Sequence, residues 1–146
     1  MKIATGLIET FRGRVAVSDC DQDGRMNVEA RVARIADATV TLCHAIGLTA
    51  DYMNAHGCTL VAVHHDIAHL GEVEAGDLLV MRGGVLSIDA EQIRFLHRMR
   101  RVEDGAAVMT SKVLMRGMDR ERREPVALDA SIVEQARQLL VREADA

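Results

Sequence analysis

The sequence feature that most constrains this fold is a helical pattern after residue 27 that is apolar on most of its sides. Between residues 28 and 46, apolar side chains recur at intervals of three and four, the period of an α-helix. They are Val28, Val32, Ile35, Ala36, Leu42, Cys43 and Ile46, with Thr39 at an equivalent position. Only Arg31, Arg34 and Asp37 interrupt them as a thin polar stripe. A helix of this kind is buried, so we predict that a sheet encloses it.

Both ends of this helix are marked by residue type. Asn27 precedes the apolar pattern, and its side-chain oxygen suits the N-cap position. Gly47 follows the pattern and suits the left-handed residue that ends a helix. "TADYMNAHG" then predicts a short helical turn.

Strand-like segments surround the helix. A strand precedes it, with Val15 and Val17 on one face. Four further strands are predicted near 58–70, 77–88, 91–103 and 107–119, separated by short turn-like breaks. Because short connections join antiparallel neighbours, we predict that these four strands form a meander.

The chain ends in a second amphipathic helix. Ser131 and Glu134 have the spacing of a capping box, and the apolar face is formed by Ile132, Ala136, Leu139 and Leu140. The predicted fold is therefore α+β, with an antiparallel sheet of about five strands around one long central helix and a C-terminal helix. We predict a single domain over residues 1–146.

Composition excludes several classes of protein. The net charge of −4 favours neither nucleic acid nor an anionic membrane as a partner. No apolar run approaches the roughly 20 residues of a membrane span, and the first residues make a poor signal peptide. The three cysteines are widely spaced and odd in number, which fits neither a disulfide framework nor a zinc site. We therefore predict a cytoplasmic protein, with Cys20 in a packing role.

An acidic loop, "DCDQDG", precedes the central helix. Asp19, Asp21, Asp23 and Gly24 match the first half of a calcium loop, but position 12 is Ala30 instead of glutamate, and a strand precedes the loop instead of a helix. We therefore predict no metal. A plain solvated loop beside the helix start and a catalytic carboxylate both remain open, because free N–H groups at a helix start stabilise a developing oxyanion.

Several segments resemble the hot-dog-fold acyl-CoA thioesterases of the 4-hydroxybenzoyl-CoA thioesterase class. They are "SDCDQDGRMNVEARVARIADA", "GEVEAGDLLV", "LHRMRRVEDG" and "RREPVAL". "DGRMN" and "DAEQIRFLHRMR" look closer to the branch of carnitine and betainyl-CoA breakdown. The resemblance implies a hot-dog fold and hydrolysis of a thioester.

The resemblance also implies roles for individual residues. Asp21 falls on the family's catalytic carboxylate, Gly24 on the glycine that turns the chain into the helix, and Asn27 on the asparagine at the helix start. The N–H of Val28 would polarise the thioester carbonyl. Whether Asp21 acts as a general base or attacks the carbonyl directly stays open.

This chain departs from the family pattern at three places. Arg25 stands where a histidine is frequent, and a second histidine of one branch falls on Val28. His64 stands where the branch commonly has an acid, and we predict it in the pocket with Arg25. In "HHDIAH", His65 and His69 share one strand face, which is more typical of pocket-lining or solvated histidines than of a metal site.

The basic cluster that some relatives place before the strand at 91–103 is missing, because "SIDAEQ" leans acidic. Arg116, Arg122 and Arg123 are the best remaining candidates for the phosphates of coenzyme A, because a fork of donors suits phosphate. The next candidates are Arg98, Arg100 and Arg101.

The prediction from sequence is thus an acyl-CoA thioesterase for a small or medium acyl group, with no cofactor beyond the coenzyme A of its substrate. Relatives pair their sheets, which implies a homodimer or a tetramer of dimers with each site built from two chains. The alternative is a non-catalytic hot-dog protein that binds an acyl or other small ligand. The missing histidine and basic cluster favour that alternative, whereas Asp21, Gly24 and Asn27 favour the enzyme.

Overall fold

The computed structural model describes residues 6–143, in which a five-stranded antiparallel sheet packs against one long helix. The first five and last three residues of the predicted domain lie outside this range. The elements are β1 (Ile8–Arg14), a 3-10 turn (Val17–Asp19), α1 (Val28–Ala45), α2 (Ala50–His56), β2 (Cys58–His69), β3 (Leu78–Ile88), β4 (Gln92–Arg101), β5 (Ala107–Asp119) and α3 (Ala130–Arg137). The predicted α+β class and the predicted strands are confirmed to within two residues at most ends. None of the helices within residues 6–143 is long and apolar enough to cross a membrane.

The order of strands in the sheet is β1-β3-β4-β5-β2, so the predicted four-strand meander is wrong for β2. β2 pairs with β5 along its whole length and leaves its other edge open. The segment 70–77 carries the chain from β2 to β3 past the start of α1, where the Met26 N–H donates to the Val73 carbonyl (2.8 Å). The connection between β2 and β3 is therefore a segment held against the start of α1, and it is not a tight turn.

The core lies between α1 and the inner face of the sheet. Met81, Met99 and Met109 are directly paired across three strands and are fully buried, as expected for adaptable core side chains. Gly83 lets the helix come close, because a Cβ there would lie 3.0 Å from a methyl group of Leu42 and 2.7 Å from the Leu96 carbonyl oxygen.

Two predictions about which side chains are buried are wrong. Val15 is buried, but Val17 is 77% exposed because the chain leaves the strand after Arg14 and turns into the 3-10 segment. Arg31, predicted in the polar stripe, is only 4% exposed. Its guanidinium donates to the carbonyls of Gly71 (2.8 Å) and Val108 (3.2 Å), so it fastens the first turn of α1 to the end of β2 and the start of β5.

The C-terminal helix α3 begins two residues earlier than the capping box predicted, at Ala130 instead of Ile132. Asp129 is the N-cap residue and makes no side-chain cap hydrogen bond, because its carboxylate lies 3.3 Å from the imidazole of His56. The helix ends at Arg137, so Leu139 and Leu140 do not extend its apolar face. Instead, the Leu139 carbonyl accepts the Val85 N–H (2.9 Å), which adds the tail to the sheet.

One chain does not enclose α1 completely, which corrects the prediction of a fully buried helix. Val28, Val32 and Val40 are 57%, 39% and 69% exposed. The neighbouring β2 contains a bulge between Ala62 and His64, where Val63 is the extra residue and is 52% exposed. An apolar helix stripe therefore lies beside an open sheet edge.

Candidate active site

The acidic loop folds back on itself as a small hairpin. Cys20 and Met26 form an isolated antiparallel bridge, the Asp21 N–H donates to the Arg25 carbonyl (2.8 Å), and the Asn27 N–H donates to the Asp19 carbonyl (2.9 Å). Gly24 closes the turn with a φ of +81°, a conformation that favours glycine. The hairpin thus carries Asp21 and delivers the chain directly to the start of α1.

The carboxylate of Asp21 is held at one oxygen and open at the other. Its Oδ1 accepts the backbone N–H groups of Asp23 (2.9 Å) and Arg25 (3.2 Å). The side chain is exposed, and no partner for Oδ2 occurs among the described residues. This arrangement fixes the direction of the carboxylate and leaves one oxygen to accept a proton or to attack a carbonyl.

The start of α1, to which the hairpin leads, offers a backbone donor. Asn27 is the N-cap residue as predicted, because its Oδ1 accepts the Ala30 N–H at 2.7 Å. Val28 is the first helical residue, and the hydrogen bonds described for the loop and helix start do not use its N–H. The first N–H groups of a helix carry partial positive charge and have no partner within the helix. The Val28 N–H is therefore a hydrogen-bond donor without a partner among the described residues.

The other acids of the loop have different surroundings. Asp19 is partly buried; its Oδ2 accepts from Arg34 (3.0 Å) and from the Ala16 N–H (3.0 Å). Its carboxylate therefore anchors the hairpin to α1 and to the end of the preceding strand segment. Asp23 is exposed, and the bond described for it in this loop uses its backbone N–H. Arg25, at the position of the family's histidine, pairs with Glu72 at 3.0 Å.

A cleft of about 620 Å³ runs beside α1, between the helix and β2. It is lined mainly by aliphatic side chains of α1, α2, β2 and β5, among them Val32, Ile35, Val40, Leu60 and Met115. The lining begins at Val32, one helical turn after Val28, or about 6 Å along the helix axis. The cleft therefore opens close to the helix start.

His65 lines the cleft, and the predicted His64 does not. The extra residue Val63 reverses the side-chain alternation, so that Leu60 and Ala62 face the cleft before the bulge and His65 faces it afterwards. The imidazole Nε2 of His65 lies 2.7 Å from the Ser111 hydroxyl, and burial lowers its pKa. The sequence favoured His64 over His65 for the pocket because nothing in the pattern marks the bulge.

The predicted phosphate-binding arginines are not near Asp21 within one chain. Arg122 and Arg123 lie in the turn after β5, which is next to the start of β2 at Cys58. The helix start is instead beside the other end of β2, where Arg31 contacts His69. β2 has 12 residues and spans about 35 Å.

Arg116 lies within β5, and its buried Nε has no partner among the described residues. Within residues 6–143, no cluster of three or more His, Cys, Asp or Glu side chains has the geometry to hold a metal ion. All three cysteines are free, and Cys20 donates weakly to the Ala16 carbonyl (3.5 Å).

A sequence profile of the thioesterase-like superfamily matches residues 15–136, which include the hairpin, α1 and the whole sheet except β1. The chain belongs to the thioesterase-like superfamily. The predicted family is thereby confirmed, and with it the prediction of a thioesterase-type enzyme at the level of the family.

One curated relative of this thioesterase-like chain is the L-carnitine dehydrogenase/betainyl-CoA thioesterase of Agrobacterium fabrum, 32% identical over 113 residues. The match covers 77% of this chain and 23% of that protein, so the chain spans about a quarter of the relative's length.

Solved structures agree with the hot-dog fold. A Staphylococcus aureus protein in complex with CoA has a TM-score of 0.86 at 18% identity, over 95% of this chain and 87% of that chain. The 1,4-dihydroxy-2-naphthoyl-CoA thioesterase from Synechocystis has a TM-score of 0.78 at 14% identity, over 89% of this chain and 95% of that chain. At these identities the likeness shows the fold alone, and the predicted hot-dog fold is confirmed.

Proposed function

We propose that this chain is an acyl-CoA thioesterase that hydrolyses the thioester of a small or medium acyl group, with Asp21 as general base. The observation that carries the proposal is the Asp21 carboxylate, fixed at Oδ1 by two backbone N–H groups and open at Oδ2, in a hairpin that leads directly to the free N–H of Val28. An acid and an oxyanion donor at one helix start are the parts that acyl transfer to water requires.

In the proposed reaction, water attacks the thioester carbonyl while Asp21 Oδ2 takes its proton. The carbonyl oxygen becomes an oxyanion and accepts a hydrogen bond from the Val28 N–H. The C–S bond then breaks, the coenzyme A thiolate leaves, and the proton returns from Asp21 to sulfur. In the alternative route, Asp21 Oδ2 attacks the carbonyl carbon, the coenzyme A thiolate leaves, and water then hydrolyses the mixed anhydride to the free acid and the Asp21 carboxylate. Neither route uses a cofactor.

The aliphatic cleft beside α1 is the proposed acyl site. A thioester carbonyl over Val28 places the acyl group at Val32, where the cleft begins. The burial of apolar carbons against Val32, Ile35 and Leu60 would supply binding energy of about 25 cal/mol per Å² of apolar surface.

We propose that the functional unit is a homodimer, alone or paired into a tetramer, joined along the open edge of β2. A two-fold axis at this edge pairs the two β2 strands antiparallel. The start of the partner's β2, with the turn that holds Arg122 and Arg123, would then lie beside this chain's β2 end and its Asp21 hairpin. Dimerisation would also cover the exposed Val40 and Val63 and satisfy the unpaired strand edge.

In this dimer Arg122 and Arg123 would be able to contribute to a coenzyme A site. Within one chain they lie at the wrong end of β2, but in the dimer each site would combine Asp21 of one chain with the arginines of the other. The proposed unit is a single domain over the whole chain, and the proposed compartment is the cytoplasm.

The proposal is tested with Asp21→Asn on the best substrate of an acyl-CoA panel. Asparagine keeps an oxygen for the N–H groups of Asp23 and Arg25 but removes the base. We expect kcat to fall by ~10²–10⁴. Asp23→Asn, in the same hairpin, is the matched control and should stay within about twofold, and Asp19→Asn within about tenfold. EDTA should change nothing.

Near-normal turnover by Asp21→Asn would reject Asp21 as the base. If the wild-type chain binds acyl-CoA but hydrolyses no member of the panel, the non-catalytic binding protein is the correct reading instead.

A further inference from the structure

The histidine that ends β2, His69, lies beside the first turn of α1. Its Nδ1 is 3.4 Å from Nη1 of Arg31. Arg31 follows Val28 by three residues, and a helical side chain leans back over the preceding turn, so the guanidinium lies at the level of the helix start. His69 pairs directly with the buried Met109, so its side chain is on the same inner face of the sheet as the helix.

Arg31 is held in one position, and it fixes the tautomer of His69. The guanidinium is buried and donates to the carbonyls of Gly71 (2.8 Å) and Val108 (3.2 Å), and the imidazole is its third contact. A guanidinium can only donate, so Nδ1 of His69 is the acceptor. The proton of the neutral ring is therefore on Nε2.

The Nε2–H of His69 is not used elsewhere in this chain. His69 is exposed, and no partner for its Nε2 occurs within residues 6–143. The hairpin that carries Asp21 is fastened nearby, because the Met26 N–H donates to the carbonyl of Val73, four residues after His69. One chain thus brings an open carboxylate oxygen, the Val28 N–H and the Nε2–H of His69 to the region of the helix start.

We propose that His69 is a further catalytic residue, which donates its Nε2–H to the oxyanion together with the Val28 N–H. The inference rests on the proposed thioesterase function. Negative charge develops on the carbonyl oxygen when water attacks and disappears when the C–S bond breaks, and the hydrogen bond is strongest in between. A neutral imidazole stabilises this charge without releasing its proton, so the path of the proton between water, Asp21 and sulfur is unchanged.

Three substitutions test this role. His69→Phe keeps a ring and removes the donor, while Arg31 keeps its two carbonyl partners. We expect kcat to fall by ~10²–10³, as for other lost oxyanion donors, with KM within about threefold. His69→Gln places an amide N–H near the position of Nε2 and should be at least about tenfold faster than the phenylalanine variant.

His64→Phe is the matched control, because His64 is on the opposite face of the same strand. It should stay within about twofold of wild-type kcat. A loss of less than about tenfold in His69→Phe, or a glutamine variant no faster than the phenylalanine variant, overturns the inference.

Mixed dimers test whether His69 and Asp21 serve the same site from one chain. Chains with Asp21→Asn are co-expressed with chains that carry His69→Phe, each with its own tag. Every site of the mixed dimer then lacks either the base or the donor, and activity should not exceed the mean of the two parents. About half the wild-type kcat/KM per mixed dimer would place His69 in the partner's site and overturn the assignment within one chain.

A ligand that cannot be hydrolysed separates this inference from the proposed function. In the ketone analogue of butyryl-CoA, a CH₂ group replaces the thioester sulfur, and difference infrared spectra of the ¹³C-labelled carbonyl report its hydrogen bonds. We expect a lower stretching frequency in the complex with the wild-type chain than in the complex with His69→Phe.

If this shift is observed while no ester is hydrolysed, the thioesterase proposal fails and the contact of His69 with the carbonyl stands. If esters are hydrolysed and the two frequencies agree, only the role of His69 fails. If the wild-type chain neither binds the ketone nor hydrolyses any ester, both fail.

Discussion

The Oγ1 atom of Thr39 lies 2.9 Å from Nε2 of His97, and this contact joins a residue of the cleft wall to a fully buried imidazole. The Thr39 hydroxyl donates to the Ile35 carbonyl (2.8 Å), so it must accept the Nε2–H of His97. Nδ1 then carries no proton, and it has no partner among the described residues. A single hydroxyl therefore fixes the tautomer of a neutral histidine in the core.

Thr39→Val should destabilise the fold without changing its shape. The substitution preserves volume but leaves the Nε2–H of His97 buried and unpaired, which costs about 1–3 kcal/mol. Urea unfolding measures the change. Thr41→Val is the matched control, because Thr41 makes the same type of bond to Asp37 on the exposed side of α1 (3.4 Å) and should cost less than about 0.5 kcal/mol. Equal losses in the two variants would contradict the assigned role of Thr39.

His97 should make the fold less stable in acid. Burial, with a smaller contribution from His65, lowers the pKa of His97 from 6.5 to about 4. The unfolded chain takes up a proton below pH 6.5, but the folded chain does so only near pH 4. Stability should therefore fall between pH 6.5 and 4, on the order of 3 kcal/mol, and change no further from this group below pH 4.

The variant His97→Gln isolates this effect, because an amide still donates to Thr39 but does not titrate. Its unfolding free energy should fall less steeply from pH 7 to pH 4.5 than that of the wild-type chain. The lowered pKa of His65 leaves a residual slope in both. Identical slopes would contradict the prediction for His97.

Arg31→Met should loosen the segment that positions the helix start. Methionine fills the space but leaves the carbonyls of Gly71 and Val108 without their donor, at a cost of about 1–3 kcal/mol. Hydrogen exchange in segment 70–77 should be faster in the variant than in the wild-type chain, and exchange in β4 should change less. The control is Arg100→Met at an exposed position, where neither readout should move.

The two-chain site predicts that two impaired variants restore activity when they form a mixed dimer. Asp21→Asn chains lose the base, and chains with Arg122→Ala and Arg123→Ala should have a raised KM. A mixed dimer, co-expressed with two tags, would combine an intact Asp21 with the other chain's intact arginines at one of its two sites. At low substrate concentration we expect about half the wild-type kcat/KM per mixed dimer.

If mixed dimers show only the mean of the two parent activities, each site lies within one chain. A raised KM without complementation would assign the arginines to the same chain as the base. Light scattering that shows a monomer at micromolar concentration would remove the two-chain site altogether.

Local patterns in the sequence predicted the helices and strands, whereas contacts between distant residues determined the strand pairing and the burial of individual side chains. The period of α1, its Asn27 cap and the strand limits follow from local rules, so they could be predicted. The pairing of β2 with β5 could not, because segment 70–77 has the composition of a turn but is held by Met26. Arg31 resembles a surface residue by type and is buried only because two backbone carbonyls lie within its reach.

The candidate site was predictable to a similar degree. The resemblance placed Asp21, Gly24 and Asn27 in one loop, and the hairpin brings them together beside Val28. It did not indicate that Asp19 anchors the hairpin through Arg34, or that His65 faces the cleft. Both depend on side chains that meet across the fold.

The bulge at Val63 makes the lining of the cleft tolerant of a change in chain length. Ala62 pairs with Met115, His64 with Leu114 and His65 with Val113, so Val63 is an extra residue without a partner position on β5. Loss of this one residue would leave these pairs in place, and His65 would still face the cleft. β2 can therefore absorb a single-codon deletion at this point without exchanging the side chains that line the cleft.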